Sequence, residues 1–558
     1  MKDRKGKLII GLIALFIGIS AVFLGNVLLK KDRLADVVST DASQAMVTIT
    51  TARVLNDSDL ARLKAPDTID DNPISRWAEQ RLGIKQVNMW VLADEASLEN
   101  KVRLALSGDE ALPDVLFLNN HVLPQLLEEI AASGRFMNVE EAFERYASPR
   151  LKEAYARNPD VWRTVQLDSK TWGLPQFSDG KIGDPILWIR QDWLDTLGLP
   201  VPTTLTELVE VMDAFTHQDP DQDGEDNTYG LALAGKNSLN GWMGDASFLF
   251  GAYGNQTSQW NRMSDGSLAY GSVQPEVGEA LEQLSHWYQK GYLHPHFGTQ
   301  DENAAAALFT DGHAGIISGP GWMGGWPLSD SVKSNSRITS VYKPIPFPTG
   351  PSGKLGRRGS EISYGSYIFR KDFKHIEAVF RYYDATYSYL IEDPESDFAI
   401  GFAEGYDYMM QNGEAIYDFP GVTSVVTQHF LVSPGNVPPG IIQGKSLEQR
   451  VYNGHVNTPY ERRLAATSSR LFLEGQIVSD SQLQIAQRNE FLGIPSSTMR
   501  AKWPALQKME KEAFLKIVYG TESPATFAAF VQNWRDAGGD EITREVNAWD
   551  KENRHDGG

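Results

Sequence analysis

Residues 187–230, LWIRQDWLDTLGLPVPTTLTELVEVMDAFTHQDPDQDGEDNTYG, give the strongest indication of the fold. The apolar residues 187–189 are typical of a buried strand. Gly198 follows WLDTL, where a glycine with positive φ commonly ends a helix. Thr204 and Glu207 have the spacing of a capping box, in which each side chain satisfies an unpaired amide at a helix start. The helix that follows has one apolar face, so we predict that it packs against another element.

The acidic loop after this helix has the residue spacing of a calcium site. The positions that supply side-chain oxygens hold Asp219, Asp221, Asp223 and Asn227. Position 7, which supplies a backbone carbonyl, holds Glu225. Gly224 permits the sharp bend. Gly230 occupies the position where a regulatory EF-hand needs a bidentate glutamate, so residues 219–230 predict a structural Ca²⁺ rather than a sensor. The alternative is a solvated acidic turn without an ion.

The composition excludes several classes of protein. A chain of 558 residues is long enough for two or three domains or one large bilobed unit. A net charge of −20 argues against a nucleic-acid partner, because phosphate binding depends on Lys and Arg. The absence of cysteine removes disulfides, thiolate metal sites, cysteine nucleophiles and the acceptor for a lipid anchor. The 14 Trp and 20 Tyr include rings suited to stacking on sugars or bases, although most must fill the core.

The N-terminus carries a membrane-targeting pattern. An uncharged run from Leu8 to Leu29 is preceded and followed by Lys and Arg. As a helix it spans roughly 33 Å, enough to cross a bilayer. We predict an uncleaved signal anchor, a transmembrane helix within residues 1–34, followed by a polar linker at residues 35–45. The rival interpretation is a cleaved signal peptide.

The rest of the chain predicts an α/β architecture. Strands are predicted at residues 46–53, 87–92 and 114–118, and helices at residues 122–133 and 139–146. Strands that alternate with helices indicate a parallel sheet covered by helices. From residue 467 onward the chain is predicted to be mainly helical.

Several segments together resemble the extracellular solute-binding proteins of bacterial ABC importers, of the carbohydrate-binding class. The closing segment looks like the long, calcium-containing subfamily that is similar to oligosaccharide-binding proteins. The resemblance covers roughly residues 46–550. The segments are WGLPQ (172–176), LWIRQDWLDTLGLPVPTTLTELVE (187–210), YGSVQPEVGEALEQLSHWYQKGYLHPHF (270–297), DGHAGIISGPGWM (311–323) and GGDEITREVNAWD (538–550).

The resemblance implies a two-lobed periplasmic-binding-protein-like fold of type II, with the ligand in a cleft between lobes that close around it. Residues 46–180 and 358–410 are expected to form the first lobe. Residues 181–357 and 411–558 are expected to form the second lobe, which includes the calcium loop at a distance from the sugar. Family members are usually lipoproteins with a cysteine after the signal sequence. Because this chain has no cysteine, it must be held by its apolar helix or released.

A carbohydrate site needs aromatic platforms for the C–H faces of the sugar and planar polar side chains for its hydroxyls. Trp322 lies where the family commonly places a stacking aromatic. Trp242 and Asp245 lie in a glycine-rich loop, and Arg357 and Arg358 would suit an anionic ligand. The other predicted ligand contacts lie near strand ends or lobe crossings: Tyr253, Trp172, Gln176, Asn119, Asn120, Glu361, Tyr364 and Tyr367.

The predicted function is that of the substrate-binding component of an ABC transporter. It captures an oligosaccharide or other carbohydrate outside the membrane by lobe closure and delivers it to a permease. This places the protein at the cell membrane with its body on the extracellular face. One alternative is a membrane-tethered carbohydrate receptor that feeds a sensor system. A glycan-acting enzyme is a further alternative, but no residue pattern selects the two carboxylates that a glycosidase needs, so we predict no enzyme activity.

Overall fold

The computed structural model describes residues 46–108, 110–329 and 340–554. The strands, in chain order, are β1 (Val47–Val54), β2 (Ile84–Leu92), β3 (Val115–Asn119), β4 (Gln166–Leu167), β5 (Lys170–Thr171), β6 (Leu174–Phe177), β7 (Pro185–Arg190), β8 (Tyr229–Ala232), β9 (Trp260–Arg262), β10 (Leu268–Tyr270), β11 (Ala314–Pro320), β12 (Tyr342–Ile345), β13 (Arg357–Arg358), β14 (Ser363–Phe369), β15 (Met409–Gln411), β16 (Glu414–Ile416) and β17 (Ala486–Gln487).

The helices, in chain order, are α1 (Asp57–Leu60), α2 (Pro73–Leu82), α3 (Glu95–Ser107), α4 (Leu123–Ser133), α5 (Glu140–Tyr146), α6 (Pro149–Arg157), α7 (Gln191–Leu197), α8 (Leu205–His217), α9 (Ser247–Tyr253), α10 (Pro275–Gln289), α11 (Glu302–Thr310), α12 (Ile376–Leu390), α13 (Leu447–Tyr452), α14 (Pro459–Thr467), α15 (Arg470–Ser481), α16 (Ser497–Val518), α17 (Phe527–Trp534) and α18 (Asp540–Asn553).

The first lobe is built on a five-stranded sheet in the order β2-β1-β3-β14-β6. β1 pairs in parallel with β2 and β3, whereas β14 runs antiparallel to β3 and β6. Separate hydrophobic cores cover the two faces, one containing Ile49 and Tyr382 and the other containing Leu116 and Leu126. The sheet is therefore buried on both sides, as the predicted α/β architecture requires.

The second lobe is built on a four-stranded sheet in the order β12-β7-β11-β8. Leu187 and Ile189 of β7 point into one core, and Ile186 and Trp188 point into the other. A strand buried on both faces explains why this part of the sequence is continuously apolar. The C-terminal helices α16, α17 and α18 add Phe514, Phe530 and other side chains to the same core as Leu187.

The local predictions for the strand, the helix end, the capping box and the packed helix within residues 187–217 are confirmed. Gly198 ends α7 with φ of 67°. Thr204 accepts a hydrogen bond from the Glu207 amide, and the Glu207 carboxylate accepts one from the Thr204 amide, which completes the capping box. Phe215 of α8 is fully buried against the second sheet. Helix α8 is therefore fixed at its start by capping and along its length by packing.

The chain passes between the sheets more than once. The first crossing joins β6 to β7, and the second leads from β12 through β13 to β14. A fully buried ion pair of 2.7 Å between Arg357 and Asp184 holds these two segments together. The prediction placed residues from 411 onward in the second lobe. Because residues 430–432 are buried in the first-lobe core, the chain leaves that lobe only after residue 432.

Within the three described ranges, no helix combines the length and apolarity needed to cross a membrane. The predicted anchor at residues 8–29, like the rest of residues 1–45, lies outside the described residues.

Candidate functional site

Three tryptophans form an aromatic cluster on the second lobe, which we call the tryptophan cluster. The Trp242 ring centroid lies 5.7 Å from that of Trp322 and 6.1 Å from that of Trp326. The Trp322 and Trp326 centroids are 6.3 Å apart, with their planes inclined by 22°. Trp242 is 38% exposed and Trp326 is 47% exposed, which is unusual for so large an apolar side chain. The cluster therefore offers nearly parallel ring faces to a ligand.

The end of β11 positions Trp322. A short 3₁₀ turn follows the strand, and its glycines pass close to the α15 backbone. A Cβ on Gly321 would lie 2.7 Å from the Gly475 carbonyl oxygen, and a Cβ on Gly324 would lie 2.5 Å from the Leu471 carbonyl oxygen. The indole Nε1 of Trp322 donates a 2.8 Å hydrogen bond to the carbonyl of Ile182 in the first crossing. The ring is thus fixed between the lobe and the crossing.

Arg358 of β13 reaches toward this cluster. Its guanidinium donates a 2.7 Å hydrogen bond to the carbonyl of Gly241, next to Trp242, and lies 3.5 Å from the carboxylate of Asp245. Asp245 is buried and accepts hydrogen bonds from the amide and hydroxyl of Ser247. Burial raises the pKa of the Asp245 carboxyl, and the nearby Arg358 charge opposes that rise.

A cavity of about 620 Å³ lies between the lobes, and we call it the interlobe cavity. Its volume is in the range of small-molecule sites. The first lobe contributes polar side chains and the second contributes an aromatic wall: Asn120, His121, Thr164 and Glu361 face Trp260, Tyr270, Asn489, Phe491, Arg500 and Trp503. Trp260 and Tyr270 are almost fully buried, so these two rings mainly support the half-buried Trp503 and Phe491.

Glu361 provides the carboxylate of the first-lobe wall. Its carboxylate accepts a hydrogen bond from the amide of Asn120, which also donates to the Ser363 carbonyl. The Glu361 side chain is exposed to the cleft, and the neighbouring residues partly desolvate its carboxyl group. This desolvation raises the pKa of the Glu361 carboxyl, against opposing contributions from Asn120 and His121.

The crossing segment connects the two features. Arg358 contacts the loop of Trp242, and Glu361, three residues later, lines the interlobe cavity. Three residues of extended chain span at most about 11 Å. The crossing segment therefore links a residue beside the tryptophan cluster to a residue that lines the interlobe cavity.

Several predicted ligand residues instead support the walls of the cleft. Asn119 accepts hydrogen bonds from the amides of His121 and Val122 and so shapes the turn before α4. Four others have side chains engaged in hydrogen bonds: Trp172 donates to the Leu167 carbonyl, Gln176 donates to the Ser433 carbonyl, Tyr364 accepts from Asn436, and Tyr367 accepts from the Ser433 amide. Tyr253 ends α9 and does not line the interlobe cavity. Burial raises the pKa of Tyr364 to about 12.

Sequence reasoning missed Trp326 and the aromatic wall. Trp326 follows Trp322 by four residues in the same glycine-rich turn, GWMGGW, so that spacing was an available signal. Trp260 and Trp503 are 243 positions apart in the chain, yet their rings stack with centroids 6.1 Å apart. No local pattern brings such distant residues together.

The lobes also contact each other beside the cavity, through what we call the interlobe latch. Arg163 of the first lobe lies with its guanidinium carbon 4.5 Å from the ring centroid of Trp549 and one nitrogen 3.6 Å from the carboxylate of Asp550. Arg500 of α16 forms a 2.6 Å ion pair with Glu128 of α4. These contacts hold the two walls of the cavity together.

The acidic loop brings together three of the predicted metal ligands. Carboxylate oxygens of Asp219, Asp221 and Asp223 all lie within 4.8 Å of one another. Burial, and then the neighbouring carboxylates, raise the pKa of Asp221. Asn227 donates through its amide to Asp223, but its buried Oδ1 has no hydrogen-bond partner among the described residues. An orphaned oxygen beside three carboxylates is the donor set that a hard cation requires, so these residues fit Ca²⁺.

Two neighbouring residues explain why this loop departs from an EF-hand. A Cβ on Gly230 would lie 2.6 Å from Cβ of Met212, because β8 crosses directly over α8. A glutamate therefore has no room at Gly230. The hydroxyl of Thr228 is buried and donates a 2.8 Å hydrogen bond to the Phe215 carbonyl, which ties the loop to the same helix.

Two α/β lobes joined by crossing segments, with a cavity between them and exposed aromatic rings on the second lobe, are typical of a protein that binds its ligand in the cleft. The sequence profile of the family described as "Bacterial extracellular solute-binding protein" matches residues 66–388, more than half of the chain. The chain belongs to this family.

A relative of known binding specificity and several solved structures match the chain over most of its length. The chain is 23% identical over 463 residues to the "Polygalacturonan/rhamnogalacturonan-binding protein YtcQ" of Bacillus subtilis (strain 168), covering 82% of this chain and 83% of that protein. An HMO-binding, ABC-transporter-associated solute-binding protein from Bifidobacterium longum infantis matches with a TM-score of 0.64 at 16% identity, over 92% of this chain and 100% of that one. The alginate-binding protein AlgQ2, solved without calcium ion, matches with a TM-score of 0.60 at 18% identity, over 91% and 99%. These likenesses confirm the two-lobed fold and the family predicted from the sequence.

Proposed function

We propose that the chain is the substrate-binding component of a carbohydrate ABC importer, which captures an oligosaccharide between its lobes. The tryptophan cluster carries this proposal. Exposed, nearly parallel indoles are suited to the apolar C–H faces of sugar rings, and the polar wall at Asn120 and Glu361 is suited to hydroxyls. The relatives named for polysaccharide and HMO binding support the same ligand class.

In this mechanism, the chain's own residues bind and orient the ligand. A sugar face stacks on Trp242 and Trp322, and hydroxyls donate to Glu361 across the cavity. Closure brings the aromatic wall of the second lobe against the polar wall of the first and excludes water. The ligand binds the closed state better than the open state, so it shifts the population toward closure. The closed surface is then what a membrane permease recognises.

The remaining features complete the proposal. Residues 8–29 anchor the chain in the membrane, and the lobes extend to the extracellular side. The lobe boundaries are residues 46–180 with 358 to at least 432, and residues 181–357 with the C-terminal segment. Asp219, Asp221, Asp223, Asn227 and the carbonyl of Glu225 hold a structural Ca²⁺, which supplies charge neutralisation within the loop.

Native mass spectrometry tests the proposed function. The full-length chain is incubated with mixed oligosaccharides, separated from free glycan and examined intact. We expect one intact glycan per chain. Shortened glycans in the free fraction would instead indicate an enzyme, and the absence of any retained glycan would contradict carbohydrate capture.

A further inference from the structure

The charge of the cleft points to the kind of oligosaccharide that fits it. We propose, on the basis of the proposed function, that the ligand is an uncharged oligosaccharide and that Glu361 selects against uronate-containing chains. Three sets of contacts carry this inference: those of Glu361, those of the cations on the cavity wall, and those of the cations beside the tryptophan cluster.

Glu361 presents a carboxylate to the cavity without a matching cation. Among the described residues, its hydrogen-bond donor is the neutral amide of Asn120, and no Lys or Arg nitrogen lies within ion-pair distance of it. A free carboxylate oxygen accepts a hydrogen bond from a sugar hydroxyl, and it repels a second carboxylate. Glu361 therefore favours a neutral partner.

The cationic side chain on the cavity wall is already occupied. Arg500 uses one nitrogen for the 2.6 Å ion pair with Glu128 and another for a 2.6 Å hydrogen bond to the Pro495 carbonyl. The remaining basic group on this wall, among the described lining residues, is the imidazole of His121. A uronate carboxylate in the cavity would thus find, among the described lining residues, no guanidinium or ammonium group that lacks a carboxylate partner.

The cations beside the tryptophan cluster are matched in the same way. Arg358 faces Asp245 and the Gly241 carbonyl. Lys181, next to the Ile182 carbonyl that holds Trp322, pairs with Asp480. Arg357, which the sequence suggested as a partner for an anion, is fully buried in its ion pair with Asp184.

Arg488 is an exposed cation that contacts both crossing segments, and it is not among the residues that line the interlobe cavity. Its guanidinium donates to the carbonyls of Gly180 and Ser360. It lines a separate polar cavity of about 460 Å³ together with Arg262, Glu276 and Glu490, of which Glu490 pairs with Arg262. Arg488 therefore lines a different cavity from Glu361.

A competition experiment tests the inference on the full-length chain. Equal amounts of uncharged oligosaccharides (glucans, galactans, xylans and fructans) and of uronate oligosaccharides (oligogalacturonates and alginate fragments) compete for the protein, and retained glycan is identified by native mass spectrometry. We expect the retained glycan to come from the uncharged set, with at least about a 10-fold preference. Retention of a uronate chain at equal or higher occupancy would overturn the inference and leave the proposed function standing. Retention of neither set would overturn both.

A charge-neutral variant assigns the selectivity to one residue. In Glu361→Gln, the affinity for oligogalacturonate, titrated by calorimetry, should rise relative to that for the preferred neutral glycan by about 10-fold. Glu153→Gln, which removes an equally negative but exposed side chain from α6, should leave the ratio unchanged. An unchanged ratio in Glu361→Gln would show that Glu361 does not set the charge preference.

Discussion

The indole of Trp322 is fixed at its edge and available at its face. Its Nε1 hydrogen bond to Ile182 restrains the ring, and the neighbouring Trp242 lies at an angle of 30° to it. A restrained aromatic side chain loses little entropy when a ligand stacks on it, which is why such residues dominate binding energies.

Replacing this ring should therefore weaken capture more than it weakens the fold. Trp322→Ala is expected to lower glycan affinity about 10- to 100-fold. Tyr146→Ala, at a comparably exposed aromatic residue on α5, is the matched control and should bind as the unmodified protein does. Isothermal titration calorimetry measures both. Equal glycan affinities of the two variants would show that Trp322 does not contact the ligand.

His429 provides a test of the buried polar groups in the first lobe. Burial, and secondarily the positive charge of Arg53, lowers the pKa of His429 from 6.5 to about 4. A folded-state pKa below the unfolded one means that the neutral imidazole stabilises the fold. That stability is present above pH 6.5 and is lost as the pH falls toward about 4.

Between pH 6.5 and 5, the free energy of unfolding should thus fall by roughly 1.5 kcal/mol because of this residue alone. His429→Gln should flatten the curve in this window, whereas His455→Gln, at an exposed histidine, should not. Urea denaturation at a series of pH values measures the slope. A His429→Gln curve as steep as that of the unmodified chain would contradict the assignment.

At the scale of elements, the acidic loop connects α8 to β8 in the second lobe. Its three carboxylates repel one another, and the Oδ1 of Asn227 is buried without a partner among the described residues. Both features are unfavourable without a cation and become favourable with one. The loop packs through Thr228 and Gly230 on α8, so order in the loop is transmitted to the sheet.

Calcium should accordingly stabilise the whole lobe. At a Ca²⁺ concentration 100 times the Kd, binding adds about 2.7 kcal/mol, and Tm should rise by a few degrees and fall again with a chelator. Asp221→Asn should abolish the shift. Asp226→Asn, which removes a charge of the same loop outside the triad, should keep most of it. A calorimetric scan with no calcium-dependent shift in the unmodified chain would rule out the site.

For the whole molecule, the interlobe latch connects closure to affinity. Arg163 and Asp550 are both largely buried, at 8% and 3% side-chain exposure, although they belong to different lobes. A desolvated cation over a tryptophan ring contributes about 2 kcal/mol. The latch therefore favours the closed arrangement without touching the ligand.

Arg163→Ala should shift the population toward open lobes. We expect a radius of gyration larger than that of the unmodified chain in small-angle scattering, and glycan binding weakened about 5- to 30-fold. Arg157→Ala, which breaks an exposed pair with Glu153 inside one lobe, is the control. Unaltered scattering and affinity in Arg163→Ala would mean that the latch does not hold the lobes.

The sequence correctly predicted the features that depend only on residues close together in the chain. The capping box at Thr204, the end of α7 at Gly198 and the acidic triad all form within a few residues. The burial of Trp172 and the aromatic wall of Trp260 and Trp503 depend on packing between distant segments, which residue spacing does not encode. The family resemblance supplied the two lobes, but it placed the third crossing too early, because residues 430–432 have the same apolar character whichever core they enter.

A crystal structure of the full-length chain with its retained oligosaccharide is the most direct test of capture between the lobes. The glycan should lie in the cleft, with a sugar face against Trp242 or Trp322 and a hydroxyl within hydrogen-bond distance of Glu361. A glycan bound on an outer surface, with the tryptophan cluster and the interlobe cavity both free of it, would contradict the account.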